Sequence, residues 1–248
     1  DDMPPQFAKT REENPDFSMY HEKGGNGLHG FHSHLHDEAE LRNSMAAYYG
    51  MISLMDQEIG RILDKLDELG IADNTLVVFT TDHGHFLGQH GLIAKGAFHY
   101  EDMLRIPMLA RYPEHIPPGT VQDGLQSIID LPATFLATAG LEVPGFMQSR
   151  DQLPTWKGKA PARDWVMVEN RHNPTTVHLR TLVTDRYKIT VYRDASYGEL
   201  FDLQKDPDEL TNHWDDPDYA SVKAEMLLKF VQADLQNEPT RMPRIAGA

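Results

Sequence analysis

An aspartate, a histidine and a glycine, Asp82-His83-Gly84, follow the apolar β-branched run Thr75-Leu76-Val77-Val78-Phe79 and precede a lysine in Gly91-Leu92-Ile93-Ala94-Lys95-Gly96. A carboxylate and an imidazole at the end of a buried strand offer a hard oxygen and a neutral nitrogen, a pair open to Ca²⁺, Mg²⁺ or Mn²⁺. Two ligands are too few for any of these ions, so the others must come from elsewhere. Lys95 sits among apolar neighbours that would desolvate its ammonium unless an anion came to meet it. At an effective dielectric of about 20, a unit anion ~4 Å away is worth roughly 4 kcal/mol before desolvation is subtracted. A plainer reading stands beside this one: Asp82 caps the next segment, His83 is a satisfied half-buried histidine, and Lys95 is a solvated surface lysine. Gly84, which permits a sharp turn, and the glycine-punctuated loop tilt the balance toward an oxyanion site.

The elements that must present these residues follow from the apolar periodicity. Met45, Tyr49, Ile52, Met55, Ile59, Ile62, Leu66 and Leu69 recur at spacings of three and four, which predicts an amphipathic helix over 40–69 closed by Gly70. Leu76–Thr80 is apolar without alternation and predicts a strand buried on both faces. Ile106–Tyr112 predicts a second strand interrupted by Pro107, and Ile128–Ala139 a helix with Pro132 in its first turn and Gly140 at its end. This alternation predicts an α/β layer with helices on a mostly parallel sheet, whose strand ends are where ligands bind.

Beyond Gly140 the rhythm changes. Residues 141–163 read as a loop; Trp165–Glu169, His178–Thr184, Tyr187–Tyr192 and Glu199–Leu203 read as a small antiparallel meander. The acidic tract Asp202–Asp218 reads as a solvated turn region. A closing helix over Tyr219–Leu235 turns Val222, Met226, Leu227, Phe230 and Val231 inward. The predicted organisation is an extended segment over 1–39, the α/β portion over 40–160 and a small sheet-plus-helix subdomain over 161–248.

Composition narrows the function classes. A formal net charge of −15 excludes a nucleic-acid partner and adsorption to anionic membrane, both of which need clustered Lys and Arg. With no cysteine, thiolate catalysis and zinc–sulfur sites are excluded within the chain, and the compartment cannot be read from disulfides. No apolar run approaches a membrane span, and Asp1-Asp2-Met3-Pro4-Pro5 is no signal peptide. The localisation is therefore left open between cytoplasm and periplasm or secretion.

Thr81 through Lys95 resembles the second active-site segment of the formylglycine-dependent sulfatases, members of the alkaline phosphatase superfamily. Tyr48–Gly60 is similar to the family's helix before that strand, and Thr181–Lys188 and Glu199–Leu203 are similar to its C-terminal subdomain. The resemblance implies part of an alkaline-phosphatase-like α/β sandwich with a mostly parallel sheet, plus a small C-terminal antiparallel sheet and closing helix. It implies Asp82 and His83 as ligands of a divalent metal, Ca²⁺ foremost, and Lys95 as the group contacting the sulfate or ester oxygen. The implied reaction opens with attack of a formylglycine hydrate on sulfur and ends with release of sulfate from a sulfated small molecule or carbohydrate.

The family's nucleophile motif, Cys/Ser-x-Pro/Ala-Ser-Arg, has no match in the chain. Gly145–Arg150 shares only Ser149-Arg150, with Phe146 at the nucleophile's place, and Asp1-Asp2 lacks the buried strand that precedes the family's paired aspartates. The expectation is a C-terminal sulfatase portion, inactive alone, whose missing N-terminal half leaves apolar surface that invites oligomerisation. Two other readings are a phosphonate monoester or phosphodiester hydrolase of the same superfamily, and a non-catalytic remnant. Among further histidines, His172 follows a meander strand and could reach over the site. His29, His32, His34 and His36 read as a polar loop, and His99, Tyr100 and Glu101 as packing or surface residues.

Overall fold

A computed structural model describes residues 30–32, 38–171 and 178–237. The chain forms two compact units. The first comprises 1–118, 170–179 and 206–211; the second comprises 119–169, 180–205 and 212–248. The stretch 40–160 therefore contributes to both.

In the first unit, β1 (Gly30–His32) precedes a long helix, α1 (Glu38–Glu68). Gly70, two residues past its end, takes φ +67, the left-handed conformation with which a helix end is closed at little cost to glycine. Only Leu41 and Met45 of α1 are buried. Tyr49, Ile52, Met55, Ile62 and Leu69, on the face expected to pack, are exposed together with Met51 and Leu54. The periodicity identified the apolar face correctly, but nothing in the described residues covers most of it.

Strand β2 (Val77–Thr80) is half-buried throughout rather than closed on both faces. Its one partner among the described residues is β5 (Met108–Arg111), which begins immediately after Pro107 and runs antiparallel, with Thr80 opposite Met108. The expected mostly parallel sheet is thus represented here by an antiparallel pair, and a strand with one neighbour keeps solvent on its flanks. The register has a consequence: the chain leaves β2 and re-enters β5 at the same end. Everything between them, including Asp82, His83 and Lys95, is presented at the carboxyl end of β2.

That intervening segment holds a short hairpin, β3 (Phe86–Leu87) with β4 (Leu92–Ala94), which also pairs with β1, and a single-turn helix, α2 (Glu101–Leu104). Phe86 and Leu92 are fully buried, and Phe98, Tyr100 and Met103 close around them. Phe86 meets the Tyr100 ring edge-on at 6.3 Å. His99 and Tyr100 are buried, as packing residues would be.

The second unit is built around a buried carboxylate. Asp130, with no exposed surface, leads into α3 (Leu131–Thr138) and accepts hydrogen bonds from Arg163 Nε at 2.7 Å, Arg163 Nη2, Gln152 Nε2 at 2.8 Å and the Arg150 backbone N–H at 2.8 Å. Arg150 thus joins a structural network through its backbone, while Phe146 is exposed. The loop also contains a single turn, α4 (Leu153–Trp156). The meander follows as β6 (Val166–Arg171), β7 (His178–Val183), β8 (Tyr187–Tyr192) and β9 (Gly198–Asp202), in that spatial order, with β8 and β9 antiparallel.

Leu182, Ile189 and Leu200 form the sheet's contribution to a core shared with Met226 and Ala233 of the closing helix α5 (Ala220–Asn237). Val222, Leu227 and Phe230 pack against this core, but Val231 is exposed. The buried stripe runs 222, 226, 230, 233, and position 231 lies about 145° from its centre. The acidic tract is not uniformly solvated either: Asp202 and Glu209 are buried. Asp202 accepts from Arg186 Nε and Nη2 at 3.2 and 2.9 Å, and these bonds hold its carboxyl below the usual carboxylate range.

Candidate active site

At the end of β2 the backbone bends, and Asp82 and His83 are presented side by side. Asp82 Oδ1 accepts from the His83 backbone N–H at 3.0 Å and from Thr81 Oγ1 at 3.2 Å, which orients the carboxylate. Its other oxygen lies 3.6 Å from His83 Nε2, with the Asp82 side chain open to solvent. The positive charge His83 can carry holds the Asp82 carboxyl below its ordinary range.

The His83 ring is anchored through Nδ1, 2.7 Å from the Gly84 carbonyl oxygen. A carbonyl can only accept, so Nδ1 carries the proton and Nε2 of the neutral ring keeps a lone pair. Lys95 Nζ stands 3.3 Å from that nitrogen. The three residues singled out in sequence therefore converge. The apolar setting expected for Lys95 is not realised: its side chain is exposed, because Ala94 takes φ +68 and the chain turns out of the hairpin there. His172 lies outside the described residues, as do His29, His34 and His36.

Gly84 is required for this arrangement by space, not by φ. A Cβ built on it would lie 1.7 Å from the Asp102 carbonyl oxygen, and its N–H donates to the Met103 carbonyl at 2.9 Å. The turn that carries the site is thereby pressed against α2. That turn is itself held by Glu209, which accepts from the Glu101 N–H at 2.6 Å.

The hairpin carrying Lys95 is set by unusual backbone. Gly88 and Gly91 take positive φ, and so does His90 at +51, a non-glycine in the left-handed region. The buried His90 ring stacks on Tyr100 with centroids 3.7 Å apart and planes within 9°.

Two side chains at the site carried no signal in the apolar pattern. His85, half-buried, stacks on Tyr48 of α1 with ring centroids 4.8 Å apart and planes 25° apart. Burial first, and then the charges of His83 and Lys95, lower its affinity for a proton.

Asp82 Oδ and His83 Nε2 are donors suited to a hard divalent cation, and the Nδ1 anchor is the feature that prepares a histidine for ligation. Alone they would fill only part of a coordination shell: among the described residues no group of three or more His, Cys, Asp or Glu could hold a metal ion.

Comparison with known proteins defines the class. A solved structure in complex with its substrate, D-glucosamine-2-N,6-O-disulfate, superposes with a TM-score of 0.76 at 26% identity, covering 93% of this chain and 47% of that one. The phosphonate monoester hydrolase of Agrobacterium radiobacter superposes with a TM-score of 0.70 at 28% identity, covering 79% and 42%. The fold is α/β of the alkaline-phosphatase-like kind, with a small antiparallel sheet and a C-terminal helix.

A family model described as sulfatase matches residues 2–141, and one described as the C-terminal part of N-sulphoglucosamine sulphohydrolase matches residues 88–237. An N-acetylglucosamine-6-O-sulfatase of Bacteroides thetaiotaomicron is 33% identical over 207 residues, covering 79% of this chain and 37% of the relative. The chain belongs to the sulfatase family. It spans less than half the length of these three relatives.

Proposed function

We propose that the intact protein hydrolyses a sulfate ester, and that this chain contributes Asp82 and His83 as metal ligands and Lys95 as the oxyanion contact. The observation that carries this is the convergence of the three side chains, with Lys95 Nζ 3.3 Å from His83 Nε2 and that nitrogen 3.6 Å from Asp82 Oδ2. A divalent cation bound there, Ca²⁺ by family resemblance and otherwise Mg²⁺ or Mn²⁺, supplies electrostatic withdrawal from the sulfuryl oxygens. Asp82 offers it a charged oxygen already oriented by the His83 N–H and Thr81 hydroxyl. His83 offers Nε2, its tautomer set by the Gly84 carbonyl. Lys95 donates to the bridging oxygen and offsets the negative charge that develops as the alcohol leaves.

The nucleophile is the formylglycine that the family resemblance implies, outside these 248 residues, since the chain has neither a cysteine nor a Cys/Ser-x-Pro/Ala-Ser-Arg segment. The substrate class is a sulfated small molecule or carbohydrate. That the glucosamine relative and the disulfate complex act on or hold sulfated amino sugars supports the carbohydrate branch.

One observation favours a second reading: the superposition on a phosphonate monoester hydrolase. Turnover by the full-length protein of 4-nitrophenyl sulfate against 4-nitrophenyl methylphosphonate, before and after chelation, tests both. The sulfate ester should give the higher kcat/KM, chelation should abolish it, and a Ca²⁺ add-back should restore it. A preference for the phosphonate ester transfers the site to the second reading. Turnover of neither substrate, with or without added metal, supports the non-catalytic remnant.

A further inference from the structure

The reaction described above accounts for the sulfate end of the substrate and leaves its alcohol unplaced. That alcohol must leave from an oxygen next to Lys95, so whatever lies beside Lys95 meets the group attached to that oxygen. The chain itself identifies the neighbour. The β3–β4 ladder ends at Phe86 opposite Ala94, so His85 and Lys95 are the next residues of the two segments beyond it. His85 also lies two residues after His83, whose Nε2 is 3.3 Å from Lys95 Nζ.

His85 does not stand alone. Its ring is stacked at 4.8 Å on Tyr48, and Tyr48 meets Tyr49 edge-on at 6.5 Å, with Tyr49 exposed. An aromatic step therefore rises from His85, two residues beyond the His83 that Lys95 approaches, to the surface of α1. Tyr48 and His85 are both only half-buried, so the step keeps accessible surface. It carries no free carboxylate or ammonium of its own, which suits the uncharged ring of an alcohol better than a second sulfate.

We propose that the stacked Tyr48–His85 pair is the wall on which the ring of the departing alcohol rests, selecting esters of ring-faced alcohols, aryl or pyranosyl, over ringless alkyl ones. An aromatic face recognises either ring through the same flat apolar contact. This rests on the sulfate-ester reading of the same site. Tyr48 is a specificity residue touching substrate, and His85 both touches it and is held in place by Tyr48.

The test uses the full-length protein and its Tyr48→Leu and Tyr48→Phe variants, with kcat/KM measured on 4-nitrophenyl sulfate, glucosamine 6-sulfate and ethyl sulfate. Tyr48→Leu should lower kcat/KM for the two ring esters relative to ethyl sulfate by about tenfold, with Tyr48→Phe retaining the preference. The inhibition constant of inorganic sulfate should not change, because the sulfate end is held elsewhere. A fall confined to the aryl ester, or to the sugar ester, identifies which ring the wall serves. Equal loss on all three substrates, or a raised sulfate inhibition constant, would make Tyr48 a merely structural residue and overturn the proposal. No loss on either ring ester would overturn it too. Failure of the underlying reading looks different: the wild type would turn over phosphonate monoesters and no sulfate ester. The wall would then be read from the same variants on 4-nitrophenyl against ethyl methylphosphonate.

Discussion

At the scale of single residues, the site depends on one charge and one missing side chain. Lys95 is exposed in this chain, so in the proposed reaction its value would come from proximity to the His83 ring and not from a dry pocket built by its own neighbours. Replacing it with alanine would remove the proposed donor to the developing oxyanion. In the full-length protein, Lys95→Ala should lower kcat by about 10²–10³ with a smaller effect on metal affinity, read from steady-state kinetics and calorimetry. Gly84 acts through space. With the Asp102 carbonyl 1.7 Å from any added Cβ, Gly84→Ala must push the site turn off α2. We expect a loss of about 1–3 kcal/mol in denaturant unfolding and weakened metal binding, the latter because His83 loses the carbonyl that orients its ring. Retained metal affinity in Gly84→Ala would show that His83 does not need that anchor.

At the scale of elements, buried ion pairs position what the apolar pattern only roughs out. Asp130 ties α3, the 141–163 loop and Arg163 together with no exposed surface, so Asp130→Ala would leave the Arg163 guanidinium, itself nearly buried, without its carboxylate. Breaking one partner of such a pair costs about 3–5 kcal/mol, and urea unfolding should show it. The Asp202–Arg186 pair at the end of β9 behaves differently because Arg186 is partly exposed and solvent screens it. Asp202 is held below its ordinary value by the Arg186 hydrogen bonds, so the stability it contributes is fully present above about pH 4. It is lost as pH falls through the lower folded value. Asp202→Asn should therefore be less stable than wild type at neutral pH, and the difference should close as pH drops below 4. A difference that persists unchanged to pH 2 would show that the pair's role is packing alone.

At the scale of the whole molecule, the exposed face of α1 is the dominant feature. Tyr49, Met51, Ile52, Leu54, Met55, Ile62 and Leu69 form a long apolar surface on a helix whose buried contacts are limited to Leu41 and Met45 among the described residues. A surface of that kind drives association in water. Prepared alone, the 248-residue chain should self-associate in a concentration-dependent way by light scattering and should show no turnover of 4-nitrophenyl sulfate. A monodisperse monomer across the micromolar range, or robust turnover, would refute the respective expectation. No helix in the described residues is long and apolar enough to cross a membrane, so the surface is not a membrane span.

The local order of residue types determined a good deal by itself. Asp82-His83-Gly84, the apolar run before it and the lysine after it are a contiguous pattern, and contiguous patterns survive without coordinates. The long helix, its glycine stop, the four meander strands and the closing helix were legible for the same reason: each has an internal period that reports its buried side. What tertiary structure alone decided is which faces meet. Lys95 reaches His83 because His90 and Ala94 take left-handed backbone that no side-chain pattern announces. His85 stacks on Tyr48 from a helix far away in the chain, and Gly84 is indispensable because the Asp102 carbonyl lies against it. Periodicity says that a face is apolar. Whether anything covers it, as α1 shows, depends on contacts between segments far apart in the chain.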